Sequence, residues 1–510
     1  MVRSAGCRRI DHGDAGPRTW DIWHDHGSFM LTLGKRAKLW RSDTALRGRL
    51  VSVGHLLTGN AFGTVIGMLG FLATARALGA ADYGILALTY SYVRVVGLIV
   101  GFQSWQPLIK YGAELTGSEH SEDYRSLMKF GLLVDVAAAL AAYIVAVGFA
   151  LLFGPLIGIG EVGIKQVVIY STVLLFDLKG LPTAVLRLAG RFRIIAYGSV
   201  VGGAVRLLLC MAGLLADMGL LYFVVVWTLS QVAGSIGVLV LALNELRRQG
   251  VRNLLSARLA GVTTRFKGLW GFTLASSAEL TVRSSTNEFD TLLVGLLTDA
   301  TGAGLYHVAK RIARLVLQIG VQVQAVLYPD VARLWAQRAI PAFRRTVLQT
   351  EVMLAAFGVV MVTATVLGIV PLLEWTVGPQ FAAAGPLAIV QMIAVAMMLS
   401  GSVTRVALLA MGRQIAVLRM VLAGTLAFHA TALTMIPWIG AMGANVAHIV
   451  MSCILLAGWA YIYHSSLAAH ALKTPDEVSA GAGKLLKALD VQRDRPPVDA
   501  DLPDLKTARQ

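Results

Sequence analysis

From about residue 50 to residue 465 the chain alternates long apolar runs with short polar connections. Twelve runs are long enough to cross a membrane: 51–75, 84–106, 130–153, 166–187, 197–215, 220–243, 269–297, 303–328, 346–373, 385–409, 417–436 and 443–465. A hydrocarbon core of about 30 Å needs roughly 20 helical residues at 1.5 Å each. Lipid offers the backbone no hydrogen-bond partner, so runs of this kind must be helical. The predicted fold class is an all-α polytopic membrane protein with about twelve transmembrane helices.

The polar segments divide the chain further. Residues 1–50 form a basic tail, 244–268 a basic linker on the membrane surface, and 466–510 a second polar tail expected to be disordered. Two halves of six spans remain, 51–243 and 269–465. They echo one another. Gly84-Ile-Leu opens span 2 and Gly304-Leu-Tyr opens span 8; ten residues on stand Arg94 and Arg314, and prolines follow at Pro107 and Pro329. Halves with an even number of spans share an orientation, so the echo predicts two six-helix lobes related by an axis along the membrane normal.

Lys and Arg gather on one side of the membrane, with Arg191, Arg247, Arg248, Arg258, Arg344 and Arg345 among them, while the opposite side keeps Arg76 and Lys165. Basic loops stay cytoplasmic, which places both termini in the cytoplasm. No cleavable signal peptide precedes span 1.

Composition narrows the function. Charged residues make up 15% of the 510, against about 25% in soluble domains. A net charge of +16 would suggest nucleic acid in a soluble protein. Here the basic residues sit between apolar runs, without the aromatic interleaving a base-stacking surface needs, and they suit anionic membrane lipids. Cys7, Cys210 and Cys453 are too scattered for a disulfide framework or a zinc site. Asp21, His24, Asp25 and His26 read as part of a solvated tail rather than a metal site. There is no phosphate-binding loop, nucleophile elbow or zinc motif, so no cofactor is expected. The outer loops reach only about ten residues, too short for the outer catalytic domain of a polysaccharide polymerase or ligase. The chain reads as a transporter, not an enzyme.

The informative residues are charges away from helix ends, each costing about 2.5–3.5 kcal/mol at mid-membrane without a partner or a wet cavity. Span 7 carries Glu279, Arg283, Asn287 and Asp290 along one face, and span 8 carries Lys310, Arg314, Gln318 and Gln322 at four-residue spacing beside Arg311. Arg94 stands in span 2. Glu279 and Asp290 are candidates for ion coupling or charge pairing. Arg94, Arg283, Lys310, Arg311 and Arg314, with Gln318 and Gln322, are the candidate substrate-binding set. Their surplus of positive charge points to an anionic substrate with phosphate oxygens, which the planar guanidinium binds two at a time. Asp135, Asp177, Lys179 and Arg206 read as structural pairs. His429 and His448 read as hydrogen-bonded core residues.

Several short motifs lie in a familiar order. Leu72-Ala-Thr-Ala-Arg-Ala-Leu-Gly79 with Asp82-Tyr-Gly-Ile85, Asn287-Glu-Phe-Asp-Thr-Leu-Leu-Val-Gly295, Gly304-Leu-Tyr-His-Val-Ala309 and Tyr328-Pro329 resemble Wzx-type polysaccharide-biosynthesis and O-antigen flippases. These belong to the multidrug/oligosaccharidyl-lipid/polysaccharide exporter superfamily. The resemblance implies two lobes in a V around a central cavity. It also implies alternating access that carries a polyprenyl-pyrophosphate-linked oligosaccharide to the outer leaflet for lipopolysaccharide or exopolysaccharide synthesis. Lipid-linked oligosaccharide and polysaccharide assembly proteins are the implied partners, and Arg76 and Asp290 match family positions. Twelve spans are fewer than the peptidoglycan-precursor flippases carry. A multidrug exporter of the same superfamily is the alternative, disfavoured by the cationic stripes.

Overall fold

The computed structural model describes residues 44–102, 104–115, 121–154, 160–251 and 253–471. Within its helices the side chains of 44–61, 121, 192–199, 283, 325 and 471 are not described. The two tails, and with them the Asp21–His26 cluster, lie outside the described residues. All regular structure among the described residues is helical.

Spans 1 and 2 fall within one helical stretch, Thr44–Val100, interrupted at Gly79 with φ 71° and ψ 177°. The interruption is a reversal. Phe71 and Tyr83 lie twelve positions apart, about 18 Å along a straight helix, yet their rings meet edge to face at 5.5 Å. Both also pack on His307. A left-handed φ here suits glycine alone. The hairpin therefore has almost no outer loop.

The remaining spans are Ser121–Phe153, Glu161–Leu188, Phe192–Leu215, Leu220–Arg248, Leu269–Leu297, Ala300–Ala336, Ile340–Thr376, Ala384–Ala410, Gln414–Ile439 and Ala441–Ala471. Among the described residues nine helices are long and apolar enough to cross by themselves, with Phe62–Val100 taken as one of them. Splitting that helix at Gly79 and adding span 5 and the polar span 7 restores twelve. Most boundaries shift by several residues, span 2 ending at Val100 and span 3 beginning at Ser121 among them, and two differences change the architecture. Span 8 continues through Pro329 to Ala336, and span 4 is broken into Glu161–Phe176 and Gly180–Leu188.

Cores form within each half and between them. One apolar cluster joins Ala73, Tyr92, Ala146, Tyr170, Cys210 and Trp227 of spans 1–6. Another joins Val294, Tyr306, Phe343, Val403, Phe428 and Met451 of spans 7–12. A third bridges them, packing Phe71, Tyr83 and Ala87 on Val308, Leu373, Phe381 and Leu387. Gly84 and Gly304, the echoing pair, meet here. A Cβ on Gly84 would collide with the Ala300 carbonyl, and one on Gly304 with Ala80 and Gly84. Small residues let these helices cross at backbone contact. Beside them Arg76 Nη1 donates to the carbonyls of Trp375 at 2.5 Å and Thr376 at 3.3 Å, satisfying the open end of span 9. The loop end of the bundle near Gly79 and Gly378 is thus closed.

At the opposite end, the linker after span 6 holds a short 3₁₀ turn, Leu254–Ser256, and a helical turn, Val262–Arg265. Leu254, Val262 and Phe266 are buried against spans 3, 4 and 6. Arg125 donates to the Asn253 carbonyl at 3.1 Å, and Lys129 to the carbonyls of Leu255 and Ala257 at 2.6 and 2.8 Å.

Candidate functional site

Between the halves lies a cavity of about 690 Å³ lined from spans 1, 4, 5, 6 and 8. Its wall is mostly small or polar: Gly63, Thr64, Thr183, Gly202, Gly203, Ser230, Gln231, Ser235, Gln318 and Gln322. A deeper recess of about 240 Å³ shares Gly63, Thr64, Arg206 and Gln318 with it. Tyr90, His307, Lys310, Arg311 and Arg314 complete the recess.

Four cations thus converge here, and three of them lack a counter-charge. Among the described residues no carboxylate lies within ion-pair distance of Arg206, Arg311 or Arg314. The Arg311 guanidinium lies 5.1 Å above the Phe71 ring and that of Arg206 5.7 Å from the Trp227 ring. Such stacking supports a cation without neutralising it. Arg206 also rests against Gly67, where a Cβ would stand 3.6 Å from its Nη2. Arg314 Nη2 donates to the Asn287 carbonyl at 3.3 Å, which aims the helix-8 side chain along span 7.

Lys310 is different. Its ammonium forms an ion pair with Asp290, whose side chain is wholly buried, and donates to the Asn287 carbonyl at 2.6 Å and Thr291 Oγ1 at 3.2 Å. Asp290 further accepts from Tyr306 Oη at 2.9 Å and the Thr291 amide at 2.6 Å, and meets His448 Nε2 at 3.2 Å. One carboxylate ties spans 7, 8 and 12. Of the two roles open to Asp290, charge pairing is the one this geometry displays.

The other candidates fall elsewhere. Arg94 does not line the cavity or recess; it meets Glu288 at 3.3 Å, an acidic partner the stripe on span 7 conceals because Glu288 lies off it. Gln318 Oε1 accepts from Thr64 Oγ1 at 2.9 Å, linking spans 1 and 8, and Gln322 lines the outer part of the cavity. Glu279 lies away from both spaces, and the Arg283 side chain is outside the described residues.

Arg206 is the functional candidate that sequence reasoning misplaced. Its expected partners are engaged otherwise: Asp177 with Lys179 at 2.6 Å, Asp135 with Ser104 Oγ at 2.5 Å and the Leu181 amide at 2.9 Å. The signal was its position well inside span 5, the same criterion that singled out Arg314. His429 and His448 hold hydrogen bonds to the Thr425 carbonyl and to Asp290, as core residues do.

Long apolar helices arranged in two packed halves, with a polar, positively charged cavity between them, define a polytopic membrane protein of the transporter fold. The chain belongs to the polysaccharide biosynthesis protein family, whose sequence model matches residues 73–386. It is 22% identical over 301 residues to the inner membrane protein YghQ of Escherichia coli (strain K12), covering 59% of this chain and 85% of that one. Its fold is similar to an inward-facing multidrug resistance MATE family transporter of the MOP superfamily, with a TM-score of 0.63 at 12% identity over 81% of this chain and 96% of that one. It is also similar to the lipid II flippase MurJ in an inward closed conformation, with a TM-score of 0.60 at 12% identity over 81% and 90% of the respective chains.

Proposed function

We propose that this protein is a flippase that moves a polyprenyl-pyrophosphate-linked oligosaccharide from the inner to the outer leaflet of a bacterial inner membrane by alternating access. The observation that carries this reading is the convergence of Arg206, Arg311 and Arg314 on one recess, with no carboxylate within ion-pair distance among the described residues. A cationic drug would be repelled there. A pyrophosphate supplies the missing charge, and guanidinium forks take its oxygens in pairs. The hydroxyl and amide lining of the adjoining cavity, from Thr64 and Thr183 to Gln318 and Gln322, matches sugar hydroxyls. The adjoining cavity extends to Lys179, Val238 and Gln322, toward the ends of spans 4, 6 and 8 that the distribution of Lys and Arg assigns to the cytoplasm. Lipid-linked substrate would therefore load from the inner leaflet while the hairpin at Gly79 keeps the outer end shut.

The test is complementation of surface polysaccharide in a strain lacking the gene. Arg206→Ala, Arg311→Ala and Arg314→Ala should insert and fold but fail to restore the polymer. Losing one desolvated, charged hydrogen-bond contact costs about 1.5–3 kcal/mol, roughly tenfold to a hundredfold in affinity. Lys at each position should rescue poorly. Arg405→Ala is the control: Arg405 donates to Gln324 at 3.3 Å, away from the recess. Full complementation by the three cavity variants at normal expression would overturn the reading.

A further inference from the structure

The seams between the halves are stitched where they border the recess. Thr64 bonds Gln318 across spans 1 and 8. Across spans 2 and 7, Thr281 Oγ1 donates to the Leu98 carbonyl at 2.9 Å and Arg94 meets Glu288. A substrate with a long hydrocarbon tail still needs a way for that tail to remain in lipid while its headgroup sits among the arginines.

The wall of the cavity is interrupted elsewhere. Span 4 loses its helix at 177–179, between Phe176 and Gly180. Lys179, in that break, lines the main cavity and also a small space of about 90 Å³ between spans 2, 3 and 4. The small space is floored by Gly97, Gly101 and Gly180, and its two carboxylates are already compensated, Asp177 by Lys179 and Asp135 by Ser104 and the Leu181 amide. Phe102 and Ala138 line this space and a third one, an apolar groove of about 500 Å³. That groove is bounded by Phe130, Leu133 and Ala141 of span 3, by Val100 at the end of span 2, and by Leu259 and Trp270. It faces outward: Leu133 is 40% and Trp270 44% exposed. Its residues cluster near the linker end of the bundle, at the depth of the leaflet from which the headgroup would load.

We propose that this groove holds the isoprenoid chain of the lipid-linked substrate, which reaches the recess through the break in span 4. The inference rests on the flippase reading and adds where the tail lies. The occupant follows from continuity: the recess, the main cavity, the small space and the groove share lining residues in turn, and pass from cationic, through polar, to almost wholly apolar. That order is the one found along a polyprenyl diphosphate from its phosphates to its tail. An ordinary phospholipid would fill the groove without any link to the arginines, so headgroup dependence separates the two.

The test uses the full chain in lipid nanodiscs with a polyprenyl diphosphate bearing a diazirine in its early isoprene units, irradiated and mapped by mass spectrometry. Adducts should concentrate on Phe130, Leu133 and Trp270, and stay low on the lipid-facing Leu367 and Leu426. Unlabelled polyprenyl diphosphate should compete, whereas polyprenol of the same length should not. Ala137→Trp and Ala141→Trp, at exposed positions on span 3, should fill the groove and cut labelling about tenfold, equivalent to roughly 1.4 kcal/mol. Leu208→Trp, exposed on span 5, should leave labelling unchanged. Labelling that needs Arg311 and Arg314 and is competed by the diphosphate, but maps to another face, would overturn the groove and leave the flippase reading standing. Labelling that no diphosphate competes away would overturn both.

Discussion

Replacing Asp290 with alanine strands the ammonium of Lys310. That ammonium is 10% exposed, and it would keep only the Asn287 carbonyl and Thr291 Oγ1 as acceptors. Tyr306 Oη would lose its acceptor as well, and His448 its carboxylate partner. Breaking a buried ion pair from one side costs about 3–5 kcal/mol. The two surviving acceptors and the adjoining recess, which can admit water, place the expected cost near 3 kcal/mol. Substituting both partners, Asp290→Leu with Lys310→Met, removes the stranded charge and leaves chiefly the unsatisfied tyrosine hydroxyl, at about 1–3 kcal/mol. The double variant should therefore be no less stable than Asp290→Ala, and measurably more stable than the two single costs combined. The assay is thermal denaturation of detergent-solubilised protein followed by the recovery of monodisperse material on gel filtration. Wild-type melting for Asp290→Ala would refute the assignment of this pair as a structural tie. So would strict additivity in the double variant, because it would mean that the two groups do not interact.

Further outcomes follow from other contacts. Gly84→Ala should cost about 1–3 kcal/mol through overpacking against Ala300, read as lost monodisperse protein, whereas Gly237→Ala, with open space around its Cβ, should be tolerated. In a cysteine-free background, Gly219→Cys should react with a membrane-impermeant thiol reagent in whole cells and Gln337→Cys should not; the reverse pattern would invert the orientation. Arg94→Ala leaves Glu288 unpaired and should lower thermal stability by about 1–3 kcal/mol without the selective transport loss expected of Arg311→Ala.

The twelve crossings and the polar stripes of spans 7 and 8 were legible because insertion in lipid imposes a length and a cost on every residue. What hydropathy could not supply is rotation about each helix axis. Lipid and a protein core are both apolar, so a run such as span 5 reads the same from every side, and Arg206 gave no hint of the direction it faces. Pairing was ambiguous for a related reason. Several cations on spans 2 and 8 were equally able to reach Asp290, and the packing of Tyr306 and His448 selects Lys310. The break in span 4 did leave a trace: Pro182 sits in the first turn of the second segment, where a missing amide proton is harmless. The internal echo is looser at its prolines, with Pro107 standing 23 residues after Gly84 and Pro329 standing 25 after Gly304, and this also has a cause. Pro107 belongs to a separate short helix, Trp105–Gly112, while Pro329 is absorbed into a continuous one.

Span 7 is not one of the nine helices that, among the described residues, are apolar enough to cross on their own. That has a consequence for biogenesis. Asp290 leaves the ribosome 20 residues before Lys310, so for a time the nascent chain carries this charge without its partner inside a helix that must enter lipid. Each such charge weighs about 2.5–3.5 kcal/mol against insertion. The translocation channel would retain span 7 until span 8 emerges and delivers the ammonium, and the two would partition into the bilayer with that ion pair already formed. A nascent chain cut after Leu297 should then fail to integrate its last helix, and one cut after Ala336 should integrate both. In this protein the order of synthesis and the geometry of the buried pair are two aspects of one requirement, and a mutation at either position burdens the assembly line before it reaches the finished transporter.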